Sequence, residues 1–173
     1  MASRPAEVVE GIRIAARAVQ LDVDAADAAA SIRLAGAPLI EAEWVTPAYV
    51  EAAVTRERTF PTGLPTQPEA IAVPHADPHG VSDPAIAVLR LRSPVDFVEM
   101  ATSDDRLAVR LVLLLALKSK DQARALGALI RAVQEPGLLD FLLSSTSPEA
   151  IAERMRDTVA AGLADASPAA WRL

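Results

Sequence analysis

Residues 69–80 read Glu-Ala-Ile-Ala-Val-Pro-His-Ala-Asp-Pro-His-Gly, and the rest of the chain is organised around them. Ala70 to Val73 is a short apolar run of strand type. Pro74 stops it, because proline cannot donate to a sheet ladder. His75 therefore stands at the end of the strand, and a loop through Asp77, Pro78, His79 and Gly80 follows. On the upstream side, Thr59 to Pro68 carries Pro61, Gly63, Pro65 and Pro68, which exclude a regular helix or a central strand.

Working outward, a helix begins at Thr46 and Pro47. Threonine suits the N-cap, and proline suits the first helical position. Tyr49, Val50, Ala53 and Val54 form the apolar stripe of this helix. Asp24 to Ala35 reads as an alanine-rich helix, with Gly36 placed where a left-handed C-terminal cap is wanted. Ile12 to Val23 fits a strand or a short helix equally, and residues 1–11 read as a flexible end. Downstream, Ala85 to Arg92 is a strand closed by Ser93 and Pro94. Leu107 to Leu117 is an apolar run of strand type, buried on both faces. Asp121 to Gln134 is a helix with Leu126, Leu129, Ile130 and Val133 at helical spacing, broken by Pro136 and Gly137. A last helix follows Ser147 and Pro148, with Ile151, Met155 and Val159 on one face. Strands alternating with helices indicate an α/β fold: a single-domain sandwich over residues 12–160, a small sheet covered by helices, with a loose tail over 161–173.

Composition narrows the function. In the 173 residues hydrophobic side chains make up 51% but aromatics only 3%, so the core is built of Ala, Val, Ile and Leu. The formal net charge of −6, with no basic stripe, argues against nucleic acid as a partner. The absence of cysteine excludes a disulfide framework, a cysteine metal site and any thiol chemistry of the chain's own. No basic region followed by an apolar stretch opens the chain, and Leu111 to Leu117 is far short of the roughly 20 residues that span a bilayer. The expected location is the cytoplasm.

The chain has two histidines, His75 and His79. Four readings of them compete. They are solvated loop residues; they bind a metal together with Asp77; they serve acid–base or nucleophilic hydrolysis; or one of them carries a phosphoryl group. Pro74 and Pro78 disfavour the helical pair that a metal motif would use. No serine elbow accompanies them for hydrolysis. Phosphoryl transfer needs a histidine at a strand end and donors for the phosphoryl oxygens. The Pro61-Thr62-Gly63 turn offers a hydroxyl and backbone amides, and Arg56 offers a guanidinium fork. Residue types and spacing alone leave all four open.

The order of the motifs carries more. Arg56-Glu57, then Phe60-Pro61-Thr62-Gly63-Leu64, then Ile71-Ala72-Val73-Pro74-His75-Ala76-Asp77 with His79 and Val81, then Pro94-Val95-Asp96-Phe97 with Met100, and Leu111 to Leu117 followed by Lys118, together resemble the enzyme IIA domains of the mannitol/fructose class of the bacterial phosphotransferase system, and within it the galactitol type. The resemblance covers roughly residues 12–160. It implies a mixed β-sheet flanked by helices and no cofactor or metal. It also implies a phosphohistidine at His75, loaded by HPr and discharged to a cysteine of enzyme IIB, itself coupled to the membrane component IIC. Arg56 matches the family arginine beside that histidine. Thr62, His79, Glu57, Gly63 and Asp77 are further candidate site residues. Several relatives carry a second active-site histidine where this chain aligns Gln122, which can hydrogen-bond but cannot take a proton. A regulatory protein switched by His75 phosphorylation is the second functional reading, and a metal-dependent hydrolase the third.

Overall fold

The computed structural model describes residues 7–101, 104–118 and 122–165; the side chains of Gln122, Ala123 and Asp165 lie outside the description. One sheet is covered by helices on both faces. Its strands are β1 (Val8–Val9), β2 (Ile12–Arg13), β3 (Val19–Val23), β4 (Gly63–Leu64), β5 (Ala70–Ala72), β6 (Ala85–Val98) and β7 (Arg106–Ala116). The spatial order is β1-β2-β6-β7-β5-β4, with β3 also paired to β6. The β6–β7 hairpin is antiparallel and central, while β2 and β3 run parallel to β6 and β5 runs parallel to β7. The sheet is therefore mixed.

Alternation along β7 explains why this run is apolar throughout. Leu111, Leu113 and Leu115, with Leu117 just past the strand, lie on one face, under α3 (Gln122–Ala132), α4 (Leu138–Ser144) and α5 (Pro148–Asp165). Val112, Leu114 and Ala116 point to the other, under α1 (Ala28–Glu41) and α2 (Pro47–Thr59). The second face is lined with alanines, among them Ala72, Ala85 and Ala87 against Ala35 and Ala53, and these small side chains let the helices approach closely.

Several expectations are corrected. Ile12 to Val23, open between strand and short helix, holds two strands, β2 and β3, on either side of a 3₁₀ turn at Ala16–Ala18. Residues 8–9, expected in a flexible end, pair with β2. Gly36 does not cap α1; the helix runs on to Glu41 and includes Pro38. A Cβ at Gly36 would stand 2.5 Å from a Val50 methyl, so the glycine is there to let α1 and α2 touch. Ser93 and Pro94 do not close β6. The register shifts between Arg90 and Val95, and the strand resumes to Val98, because proline's missing donor is tolerated where the ladder is already interrupted. Gly63 and Leu64 lie in a segment expected to be loop, yet they form a short strand on β5. The helix expected from Asp121 is described from Gln122, with Asp121 outside the described residues. After Pro136 and Gly137 comes α4, which the sequence reading omits, and α5 continues three residues past Gly162. Arg90, only 3% exposed, ties these parts together. Its guanidinium forks onto Asp22 at 3.0 and 3.1 Å and donates to the Leu142 and Ser145 carbonyls, which closes the end of α4.

Candidate functional site

His75 is set just beyond the carboxyl end of β5, beside the end of the parallel strand β7. The Leu115 N–H donates to the Pro74 carbonyl at 3.0 Å, and His75 pairs with Leu115 as an isolated parallel bridge. This end of an open α/β sheet is where such folds place ligands. The ring is oriented by the backbone two residues upstream, with Nδ1 lying 2.9 Å from the Val73 carbonyl oxygen. A carbonyl only accepts, so Nδ1 carries the proton and Nε2 carries the lone pair. His75 is 8% exposed, more enclosed than the open histidine expected of a residue that exchanges a group with other proteins. Burial lowers its pKa below the ordinary 6.5, and the positive charge of Arg56 acts in the same direction; the Val73 hydrogen bond and Asp77 oppose them. At neutral pH His75 is thus a neutral imidazole with one directed nucleophilic nitrogen.

Helix α2 lies beside this loop. It starts as expected, with the Thr46 hydroxyl accepting from the Tyr49 N–H and Pro47 at the first turn. The Thr46 N–H donates to the Gly80 carbonyl, and Gly80, at φ +87°, sits where any Cβ would collide with the Thr46 hydroxyl. Tyr49 is completely buried. Its hydroxyl donates to the Leu115 carbonyl at 2.5 Å and accepts from the Ala76 N–H at 3.3 Å. Desolvation pushes the phenol up to about 12, so it stays protonated.

At the other end of α2, Arg56 is stacked over the exposed ring of Phe60, 5.1 Å from its centroid. Its charge is felt by His75, Tyr49 and Glu57. Glu57, a candidate site residue, is half-buried and turned to Thr62. Its carboxylate accepts from the Thr62 N–H at 2.9 Å and from the Thr62 hydroxyl at 2.7 Å. Both Thr62 groups expected to face a phosphoryl group are thereby engaged by Glu57, and Thr62 is buried. Burial raises the Glu57 carboxyl to about 7, against the lowering effect of the two Thr62 bonds and of Arg56. The Thr62 carbonyl in turn accepts from the Val73 N–H at 3.3 Å, so Glu57 is linked through Thr62 to the residue that holds the His75 ring.

The remaining candidates separate. A Cβ at Gly63 would stand 2.6 Å from the Val98 carbonyl oxygen, which makes Gly63 a spacing residue between β4 and β6. Asp77 is exposed and acts on His75 through its charge. His79 is exposed, and its side chain takes no hydrogen bond among the described residues. The backbone of Gln122 opens α3, the next element after β7, while its side chain lies outside the described residues. Among the described residues no group of three or more His, Cys, Asp and Glu side chains could hold a metal, and no helix is long and apolar enough to cross a membrane. Around the histidine Val73 is core, whereas Leu64 and Val81 are half-buried. The sequence reading missed Tyr49, which it took only as part of an apolar stripe; a lone tyrosine amid alanine and valine was the one available sign of a buried hydroxyl.

A neutral histidine whose Nε2 keeps its lone pair and takes no partner among the described residues, with the charge of Arg56 acting on it, can take up and release an anionic electrophile. Residues 14–157 match the family model described as phosphoenolpyruvate-dependent sugar phosphotransferase system, EIIA 2. The chain belongs to that family. Among its relatives the galactitol-specific EIIA component of Escherichia coli strain K12 is 33% identical over 102 residues, 58% of this chain and 66% of that protein, so the match spans just under two thirds of the relative. The mannitol-specific EIICBA component of the same organism is 28% identical over 144 residues, covering 82% of this chain and 22% of that protein. The EIIA fold is seen in a solved complex of the mannitol enzyme IIA with phosphorylated mannitol enzyme IIB from E. coli, with a TM-score of 0.68 at 25% identity over 87% of this chain and 99% of that one. The crystal structure of E. coli mannitol IIA superimposes with a TM-score of 0.63 at 26% identity over 83% and 96%.

Proposed function

We propose that this EIIA-family chain is a cytoplasmic phosphocarrier that accepts a phosphoryl group from the phosphohistidine of HPr on Nε2 of His75 and passes it to a cysteine of a cognate enzyme IIB, for uptake of a sugar or sugar alcohol of the galactitol type. The observation that carries this reading is the Nδ1–H of His75 held on the Val73 carbonyl, which leaves Nε2 as the nucleophile.

The chemistry balances simply. The Nε2 lone pair attacks phosphorus, the N–P bond of the donor breaks, and the donor imidazole leaves with the electron pair. The ring now bears positive charge, which the Val73 carbonyl offsets through Nδ1–H. In the second step a thiolate attacks phosphorus, the Nε2–P bond breaks, and His75 returns to its starting tautomer. Arg56 supplies a charge-assisted fork to the equatorial oxygens in both directions. The chain supplies no thiol of its own, and the partner's cysteine fills that role.

Incubation with enzyme I, HPr and phosphoenolpyruvate should place one acid-labile phosphoryl group on the protein, and His75→Ala should prevent it. Undiminished labelling of that variant would remove His75 from the mechanism. The group should then discharge rapidly on addition of the cognate IIB and only slowly without it. Fast hydrolysis of the phosphoprotein by itself would contradict a carrier role.

A further inference from the structure

The hydroxyl of Tyr49 touches two backbone groups, and both belong to the immediate frame of His75. Leu115, whose carbonyl accepts from Tyr49, is the residue opposite His75 in the sheet bridge. Ala76, whose N–H donates to Tyr49, follows His75 in the chain. On its upstream side His75 is already tied down, with the Pro74 carbonyl on the Leu115 N–H and the ring on the Val73 carbonyl. Tyr49 completes the frame on the downstream side, so that both peptides flanking His75 are referred to the same residue of β7.

We propose that Tyr49 is a positioning residue for phosphoryl transfer: from the buried face of α2 its hydroxyl locks the peptide after His75 to the end of β7 and thereby fixes the direction of Nε2. The helix that presents Tyr49 also presents Arg56 two turns later on the same face. One rigid element thus sets the aim of the nucleophile and the place of the cation that meets the incoming oxygens. In-line transfer is sensitive to such placement, since an error of about 1 Å in a near-attack geometry costs on the order of a hundredfold in rate. Burial keeps the phenol protonated throughout the physiological range, so the frame does not loosen with pH.

The inference rests on His75 being the phosphorylated group, and two donors separate the two ideas. Phosphohistidine HPr and phosphoramidate, a small donor that needs no docking surface, should both label Tyr49→Phe roughly ten-fold or more slowly than wild type, with KM for HPr within about two-fold. Labelling that survives in His75→Ala would overturn the parent reading, whereas a folded Tyr49→Phe with wild-type kcat for both donors would overturn this one alone. Loss of thermal stability without loss of kcat marks a purely structural tyrosine and counts against the proposal. Should Tyr49→Phe fail to fold, the chain's single tyrosine permits uniform 3-fluorotyrosine incorporation at this position only. Its ¹⁹F resonance should move when His75 is phosphorylated, and a resonance indifferent to phosphorylation would refute the linkage.

Discussion

Glu57→Gln should stabilise this protein above neutral pH and leave it unchanged in acid. The carboxyl is raised to about 7 from an ordinary 4.5, chiefly because burial disfavours the charged form. A folded-state value above the unfolded one means that the native state prefers the protonated carboxyl. Its contribution to stability is therefore fully present below 4.5 and is lost as pH rises through about 7. At 1.36 kcal/mol for each tenfold in proton affinity, that span corresponds to roughly 3 kcal/mol. Glutamine is the shape of a permanently protonated glutamate here: its carbonyl can accept the Thr62 N–H, and its amide can donate to the Thr62 hydroxyl. Urea denaturation of both proteins between pH 4.5 and 8.5 tests this. The difference in unfolding free energy should grow from near zero to roughly 3 kcal/mol in favour of the variant, with the contribution of His75 cancelling between them. A difference that stays flat across the range would show that the carboxylate is not ionised at a cost, and the account of Glu57 would fall. A buried carboxyl that stands near half-ionised at neutral pH, beside the loop that carries His75, is a candidate for function.

The remaining predictions concern the same loop and its supports. Arg56→Ala should slow phosphorylation roughly ten-fold or more, since a charge-assisted contact is worth about 1.5–3 kcal/mol, with little change in melting temperature. Arg56→Lys should recover only part of the rate, because an ammonium lacks the planar fork, and wild-type rates in both variants would return Arg56 to a surface charge. Below pH 6.5 native stability should decline as His75 is forced to protonate, since its folded pKa is lowered; His75→Asn should lose that part of the slope, which denaturation at pH 5 and 7.5 would show. Gly36→Ala should destabilise by about 1–3 kcal/mol because its methyl meets Val50, whereas a helix-capping glycine of left-handed conformation would respond through backbone strain. Restoration of stability in Gly36→Ala/Val50→Ala would identify the steric cause.

What could be read from the sequence divides along a physical line. The N-terminus of α2 was legible because a cap is a local event: Thr46 accepts from a backbone three residues away, and Pro47 pre-sets its own φ. The buried strand β7 was legible because its composition reports burial on both faces. Gly36 was not, because the same residue serves a cap or a close helix crossing, and only Val50, brought in by tertiary packing, decides between them. Pro94 was misread for a similar reason: it announces a broken ladder, and whether the strand ends there or resumes depends on the partner Val109.

The candidate site divides in the same way, and α2 shows why. Pro74-His75 and Arg56 are conspicuous because their residue types can do chemistry anywhere, so a motif suffices to propose them. Tyr49 and Glu57 acquire their roles only from what they touch. Glu57 meets Thr62 five residues on, across a helix end that no periodicity describes, and Tyr49 meets Leu115 from 66 positions away. The two side chains hold opposite sides of the same short loop, one through Thr62 and Val73 and the other through Ala76 and Leu115. A helix with an apolar stripe needs no tyrosine or glutamate to pack on alanines. That α2 nonetheless carries both, Tyr49 on Leu115 and Ala76 and Glu57 on Thr62, is what separates a helix that merely covers a sheet from the histidine-aiming helix proposed above.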